Sequence, residues 1–313
     1  MHVVMTYDYG KEVIDEIESL GYSVEIVPES GITEEMDFSR AEVLICYDPF
    51  GRMNLSTLTN LKLIMLSSVG VDQVPEKLSS REGLIITNNR GGYSPPMGEW
   101  IVMMLLVGVK RAYPLIVQSL NRIWKIDTQV EELTDKQILF LGTGSIAQEA
   151  IKRLKGFGAY TIGMNRSGHY VEGFDKVIGK DQVDEYIKNA DALVLCLPQT
   201  VHTEQFMDSY RLSLMKDDAI LINISRGSVL DERALEEELL KGKFRFVALD
   251  VTKEEPLNSD SSLWTYDQVL ITPHNSWVSE HRNSRRLEVI MKNLKRFTAQ
   301  GDLINTVDIE RGY

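Results

Sequence analysis

Cysteine is nearly absent. The 313 residues contain two, Cys46 and Cys196, both inside apolar, strand-like runs. They supply neither a disulfide framework nor a metal-binding spacing, so no metal site is expected and a reducing cytoplasm fits. Long apolar runs are missing too: the longest, near residues 100–109, is too short to span a bilayer and reads as a buried helix. Positive charge is in deficit, with 34 Lys and Arg against 46 Asp and Glu and a net charge of −12. No Lys/Arg run reverses that balance locally, which argues against a nucleic-acid surface. The first eight residues, Met-His-Val-Val-Met-Thr-Tyr-Asp, lack the basic-then-apolar order of a signal peptide. No short repeat and no low-complexity tract is found.

What is present is an ordinary globular composition, 43% apolar and 26% charged, at a length that favours two domains with separate cores. Strands are predicted over residues 2–7, 22–27, 41–47, 61–67 and 84–87, with an amphipathic helix over 11–20 closed by Gly21. A breaker-rich loop over 90–96 and a long apolar helix over 97–111 mark the crossing between domains. Strands follow at 138–141, 160–165, 192–197, 219–224, 246–251 and 269–272, with helices at 183–189, 207–215 and 232–240. A last helix over 279–298 precedes a short tail returning to the first domain. Alternating strands and helices imply an α/β fold with parallel sheets covered on both faces.

One stretch organises the second half. Ile138-Leu139-Phe140-Leu141 reads as a buried strand, Gly142-Thr143-Gly144-Ser145 as a tight turn, and Ile146, Ala150, Ile151 and Leu154 recur at helical spacing. This is G-x-G-x-x-A at a strand–helix join. The first Gly permits the turn, the second lets backbone approach a pyrophosphate, and the small Ala147 allows close packing. Free N–H groups at the helix start would face the phosphates. In such folds an acidic residue about 20 positions on binds the adenosine ribose. Here the second strand ends in Asn165-Arg166-Ser167. A carboxylate would repel a 2′-phosphate, whereas Arg166 can pair with it and Ser167 can donate to it, so NADP is favoured and NAD stays open. A solvated Arg is the plainer alternative.

Three polar residues come just after three successive strands: Arg226, Glu255 and His274. Ligands bind beyond the carboxyl ends of a parallel sheet, the edge that also bears Gly142 to Ser145. Reducing a 2-keto acid needs a cation for the carboxylate and carbonyl, and an acid for the developing alkoxide. Arg226 can form the fork, His274 can donate the proton, and Glu255 can orient the imidazole. Taken singly, Arg226 reads as a turn residue, Glu255 as part of a solvated Lys-Glu-Glu-Pro loop in which Glu254 competes, and His274 as a loop His. Their shared placement favours the catalytic reading.

The segments around Gly142–Ala147, Leu197-Pro198-Gln199-Thr200 with Thr203, Asn223-Ile224-Ser225-Arg226-Gly227, Ala248-Leu249-Asp250-Val251 with Glu255-Pro256, and Thr272-Pro273-His274 resemble the D-isomer-specific 2-hydroxyacid dehydrogenases. They match in order and spacing over nearly the whole chain. The resemblance implies two Rossmann-like doubly wound parallel-sheet domains with a cleft between them. Residues 1–93 plus about 280–313 would form a flavodoxin-like substrate-binding domain, and 94–279 a dinucleotide-binding Rossmann domain. It implies catalytic roles for Arg226, Glu255 and His274, and a carboxylate-binding turn at Val69 and Gly70. Gly142, Thr143, Gly144, Ser145, Ile146, Asn165, Arg166, Ser167, Leu197, Pro198 and Ile224 would bind the cofactor. Asp250 would lie near the nicotinamide amide and Thr203 near the adenosine end. The family also implies a homodimer, commonly through the long helix after the crossover. Asn275-Ser276-Trp277 departs from the small residues usual after the histidine.

The expected function is an NADP-preferring reductase of small 2-keto acids such as glyoxylate or hydroxypyruvate, yielding D-2-hydroxy acids. A short phosphoglycerate dehydrogenase is the enzymatic alternative. It would need cations for a second anionic group, for which Arg52, Arg81 and Arg90 are the candidates in the first domain. A non-catalytic, dinucleotide-sensing regulator is the alternative of another class; an intact Arg226, Glu255 and His274 set disfavours it.

Overall fold

The computed structural model describes residues 1–308. In chain order it forms β1 (His2–Met5), α1 (Lys11–Ser19), β2 (Ser23–Ile26), β3 (Val43–Cys46), β4 (Leu63–Leu66), α2 (Glu76–Ser79) and β5 (Ile85–Thr87). Next come α3 (Ser94–Val109), α4 (Ala112–Leu120), β6 (Gln137–Leu141), α5 (Ser145–Leu154), β7 (Tyr160–Asn165) and β8 (Lys176–Gly179). Then follow α6 (Val183–Ile187), β9 (Ala192–Leu195), α7 (Ser209–Leu214), β10 (Ile220–Asn223), α8 (Glu232–Leu240), β11 (Phe246–Leu249), β12 (Val269–Ile271) and α9 (Arg282–Thr298). The chain divides into two compact units: unit 1 is residues 1–93 with the segment from Ser279 onward, and unit 2 is residues 94–278. Residues 309–313, part of the expected 280–313 segment, lie outside the described residues.

Unit 1 holds a five-stranded parallel sheet in the order β2-β1-β3-β4-β5. Alternate residues bury opposite faces. Val3, Met5, Val43, Ile45, Leu63 and Met65 pack with Ile17 of α1 and Ile290 and Leu294 of α9. Val4, Leu44, Ile64 and Leu66 pack with Phe38 and Leu58. Burial on both faces is why these strands are unbroken apolar runs. The tail returns to the sheet edge: Thr306 bridges Thr87 in antiparallel sense and Val307 N donates to Ile86 O at 2.8 Å. Buried Asn293 of α9 clamps the tail through Ile304, donating to its carbonyl at 3.0 Å and accepting from its N–H at 2.8 Å.

Unit 2 holds seven parallel strands in the order β12-β11-β10-β9-β6-β7-β8. On one face Leu139, Leu193, Leu221 and Val247 meet Leu212 of α7 and Leu235 of α8. On the other, α3 crosses so closely that a Cβ on Gly108 would stand 2.6 Å from Ile220 Cδ1.

Several boundaries differ from the sequence reading. α3 starts at Ser94, three residues early, and takes in Pro95 and Pro96; prolines fit a first turn, where N–H groups have no intrahelical acceptor. β8 and α4 were not anticipated. β8 is an edge strand, and α4 shows no buried residue. β6 and β7 end where they were read, whereas β9, β10, β11 and β12 end one or two residues sooner.

Candidate active site

In an open α/β sheet the order reverses at one place, and the loops there diverge to leave a crevice. In unit 2 that place is between β6 and β9. The turn after β6 opens on Gly142, at φ +109°, where an added Cβ would meet Cys196 O at 2.6 Å. Only glycine satisfies both the left-handed backbone and the contact. Gly144 is the N-cap of α5, extended and without a side-chain cap, and the space where its Cβ would stand is open. An uncapped helix start with clear space before it fits the pyrophosphate of a dinucleotide. Thr143 O accepts from Gln148 Nε2 at 2.9 Å, and Ser145 Oγ from Ser94 Oγ at 2.8 Å. Ile146 is half-buried and Ala147 fully buried. Close helix packing continues at Gly98 of α3, where a Cβ would stand 2.9 Å from Ala150 N.

Beyond β7, Asn165 ties its own loop: Nδ2 donates to His169 O at 2.9 Å and to Thr143 Oγ1 at 3.4 Å, while Oδ1 accepts from Gly168 N at 2.7 Å. Ser167 Oγ and His169 Nδ1 lie 3.1 Å apart. Arg166 is exposed and makes no ion pair among the described residues. A guanidinium beside hydroxyl and imidazole suits a phosphate better than a ribose diol. After β9, Leu197 and Pro198 are half-buried and Thr203 Oγ1 donates to Pro198 O at 2.6 Å, fixing the loop. Ile224, after β10, is buried.

Arg226, Glu255 and His274 follow the carboxyl ends of three neighbouring strands, β10, β11 and β12. His274 Nδ1 stands 2.9 Å from Glu255 Oε2. A carboxylate only accepts, so Nδ1 carries the hydrogen and Nε2 is the free ring nitrogen. Glu255 is itself held, Oε1 accepting from Thr252 N at 3.1 Å. Of the two competing acids, Glu255 meets the imidazole; Glu254 contributes its backbone carbonyl to Thr252 Oγ1 at 2.8 Å. Arg226 is half-buried, with Nη1 donating to Ser225 O at 2.9 Å. Its neighbour Gly227 is pressed on the loop that carries Glu255: a Cβ there would fall 2.0 Å from Thr252 C.

Asp250 has a structural duty that its position after β11 did not reveal. Buried at 2% exposure, it accepts at Oδ1 from Thr272 Oγ1 (2.7 Å) and Asn275 N (2.8 Å), and at Oδ2 from Ser276 N (2.9 Å). Its carbonyl accepts from His274 N at 2.8 Å. One side chain thus shapes the turn that presents His274, whose φ of +51° is left-handed. Ser276 Oγ is buried in this turn with no partner among the described residues.

In unit 1, Val69 and Gly70 lie in the loop after β4. Asn88 Nδ2 donates to Val69 O and Ser68 Oγ to Gly70 O, each at 2.8 Å. The N–H groups of Val69 and Gly70 donate to no acceptor among the described residues. Arg81 is committed elsewhere, to the carbonyls of Leu58 and Thr59 at 2.5 and 2.7 Å. The sequence reading missed a different cation, Arg286 of α9, which bonds Tyr93 and Tyr9 at the carboxyl edge of the same sheet. Among the described residues no His, Cys, Asp and Glu cluster could hold a metal, and no single helix is long and apolar enough to cross a membrane.

Residues 102–276 match the family model described as D-isomer specific 2-hydroxyacid dehydrogenase, NAD binding domain. A D-3-phosphoglycerate dehydrogenase of Methanocaldococcus jannaschii is 30% identical, the alignment covering 97% of this chain and 59% of that protein. A glyoxylate reductase of Korarchaeum cryptofilum is 26% identical over 85% of this chain and 82% of its own length. Among solved structures, a D-isomer specific 2-hydroxyacid dehydrogenase from Xanthobacter autotrophicus Py2, in complex with NADPH and MES, superposes with TM-score 0.84 at 26% identity. That match covers 100% of this chain and 99% of the other.

Proposed function

The chain belongs to the D-isomer-specific 2-hydroxyacid dehydrogenases, and on that premise we propose that it is an NADP-preferring reductase of small 2-keto acids such as glyoxylate or hydroxypyruvate. The observation that carries this reading is the His274–Glu255 pair at 2.9 Å, one strand away from Arg226 and on the sheet edge that bears the glycine turn. A protein that merely sensed a dinucleotide would have no use for an oriented proton donor.

Gly142, Thr143, Gly144, Ser145 and Ile146 would hold the pyrophosphate, and Arg166 with Ser167 and Asn165 the 2′-phosphate. Leu197, Pro198 and Ile224 would wall the cofactor, with Thr203 toward the adenosine and Asp250 toward the nicotinamide. When bound, the cofactor supplies the hydride. Arg226 pairs with the substrate carboxylate and polarises its carbonyl oxygen. His274 Nε2 then gives its proton to the alkoxide, a contribution typically worth ~10²–10⁴ in rate. Glu255 accepts from Nδ1 and so fixes the tautomer and the orientation of the ring. The backbone N–H groups of Val69 and Gly70 bind substrate carboxylate.

A homodimer and a cytoplasmic setting complete the proposal. Ile116, Leu120, Ile123, Trp124 and Ile126 stand 53–100% exposed on and after α4, an apolar stripe that a second copy would cover. Both cysteines are free thiols.

The test is a panel of 2-keto acids followed by nicotinamide absorbance with NADPH and NADH. Glyoxylate or hydroxypyruvate should be reduced, faster with NADPH, and Arg166→Ala should weaken NADPH much more than NADH. Equal loss with both cofactors would end the NADP assignment; no turnover of any keto acid would end the enzymatic one.

A further inference from the structure

The loop that carries Glu255, residues 252–255, is held by the segment that leads from Arg226 into α8. Gly227 in that segment has no room for a side chain: a Cβ would fall 2.0 Å from Thr252 C and 2.2 Å from Lys253 N. Five residues on, Glu232 opens α8, and its Oε1 accepts from Lys253 N at 2.5 Å. Glu255 turns back on the neighbouring amide, its Oε1 accepting from Thr252 N at 3.1 Å while Oε2 meets His274 Nδ1 at 2.9 Å. Two successive N–H groups of one loop are therefore each held by a carboxylate, and one of those carboxylates orients the imidazole. All of these residues belong to unit 2.

The helix itself does not require this use of Glu232. Its N-cap is Asp231, whose Oδ1 accepts from Ala234 N at 3.1 Å. An acid in the first turn favours the helix dipole equally well from solvent, yet Glu232 is half-buried. Burial pushes its carboxyl up and the charges of Glu236 and Glu255 add to that, while the Lys253 N–H and ammonium oppose it. Desolvating a carboxylate costs free energy, which the charge-assisted bond to Lys253 N offsets. The loop has little else to fix it. Residues 253–256 are all exposed, so between buried Thr252 and half-buried Leu257 no apolar contact anchors it, and its placement depends on these polar holds.

We infer that Glu232 is a positioning residue for proton delivery: its bond to Lys253 N fixes the 252–255 loop, and with it the Glu255 carboxylate, against the His274 imidazole. The inference rests on the reading of the chain as a 2-keto acid reductase. Glu232 acts through Glu255 and not on the substrate. Because it lies in the segment that begins at Arg226, the same bond also ties the substrate-binding cation to the loop of the acid. A misplacement of about 1 Å at such a site can cost ~10²-fold in rate.

The experiment measures kcat and KM for the preferred 2-keto acid, the dissociation constant for NADPH, and hydrogen exchange over residues 252–256 in the absence of cofactor. The variants are Glu232→Ala, Glu232→Asp and Glu232→Gln. Alanine removes the acceptor. Aspartate keeps the charge and the first-turn acid but falls one methylene short of Lys253 N, and it serves if the alanine variant does not fold. Glutamine keeps an oxygen at the same reach without the charge. Alanine and aspartate should speed exchange in the loop and lower kcat about 10- to 100-fold, with KM and NADPH binding close to wild type. Glutamine should restore both kcat and protection. Wild-type kcat in the aspartate and alanine variants, a glutamine variant no better than alanine, or NADPH binding lost along with kcat would each overturn the positioning role. Those outcomes leave the reductase reading intact, whereas a wild type that reduces no keto acid ends that reading and this role with it.

Discussion

Removing the Asp250 carboxylate should destabilise unit 2 by an amount that can be worked out bond by bond. The side chain is 2% exposed and accepts from Thr272 Oγ1, Asn275 N and Ser276 N at 2.7, 2.8 and 2.9 Å. Asp250→Ala strands three donors, each costing about 1–3 kcal/mol when buried without a partner. Allowing for one rescued by water, the remaining two donors cost about 2–6 kcal/mol, against the ~5–15 kcal/mol that a domain has. Asp250→Asn keeps the shape but sets an N–H against an N–H, costing about 1–3 kcal/mol. Thr272→Val removes one donor and leaves the two backbone bonds, for about 1 kcal/mol. All four tryptophans, Trp100, Trp124, Trp264 and Trp277, lie in unit 2, so fluorescence during urea unfolding reports this unit alone. The order Ala, then Asn, then Val is expected. An alanine variant within about 0.5 kcal/mol of the wild type, the scatter of neutral surface changes, would refute the reasoning.

Three further outcomes follow from the same structure. Gly142→Ala should impair NADPH binding and lower stability by at least ~1–2 kcal/mol, the cost of a left-handed L-residue, since its Cβ would lie 2.6 Å from Cys196 O; calorimetric titration showing wild-type affinity would contradict this. Burial pushes both thiols up, Cys196 to about 12, so in the folded protein both should react slowly with a thiol reagent at pH 8 and quickly in urea. The sign for stability is also set: a raised thiol pKa stabilises fully below the unfolded value of ~8.5 and that contribution is lost as pH rises through the folded one. Leu120→Asp, placing charge where a leucine is 78% exposed, should convert the proposed dimer to monomer in sedimentation, and an unchanged mass would count against that interface.

The legible and illegible parts of the molecule differ in how local their causes are. Val43 to Cys46 or Leu63 to Leu66 are fully buried four-residue strands, and double burial writes itself into the sequence as an unbroken apolar run. Lys176 to Gly179 was missed because an edge strand needs only one buried position, here Ile178. α4 was missed because its apolar residues face outward, leaving no polar side to mark a period, and Pro114 falls inside it. His274 and Glu255 could be paired from sequence because parallel strands deliver their following residues to one edge. Arg286 could not, since Tyr7, Tyr9, Tyr93 and Arg286 share no spacing and meet only when α9 closes on the sheet of unit 1. Asp250 was legible as a strand-end acid, but its hold on the 272–276 turn depends on β12 lying beside β11.

The most direct measurement is single-turnover reduction of glyoxylate by His274→Ala, with NADPH binding followed separately by its fluorescence. We expect binding to persist and turnover to fall about 10²- to 10⁴-fold, the worth of a placed proton donor. Turnover near the wild-type rate, or loss of NADPH binding together with turnover, would contradict the assignment of the His274–Glu255 pair as the proton-delivering machinery.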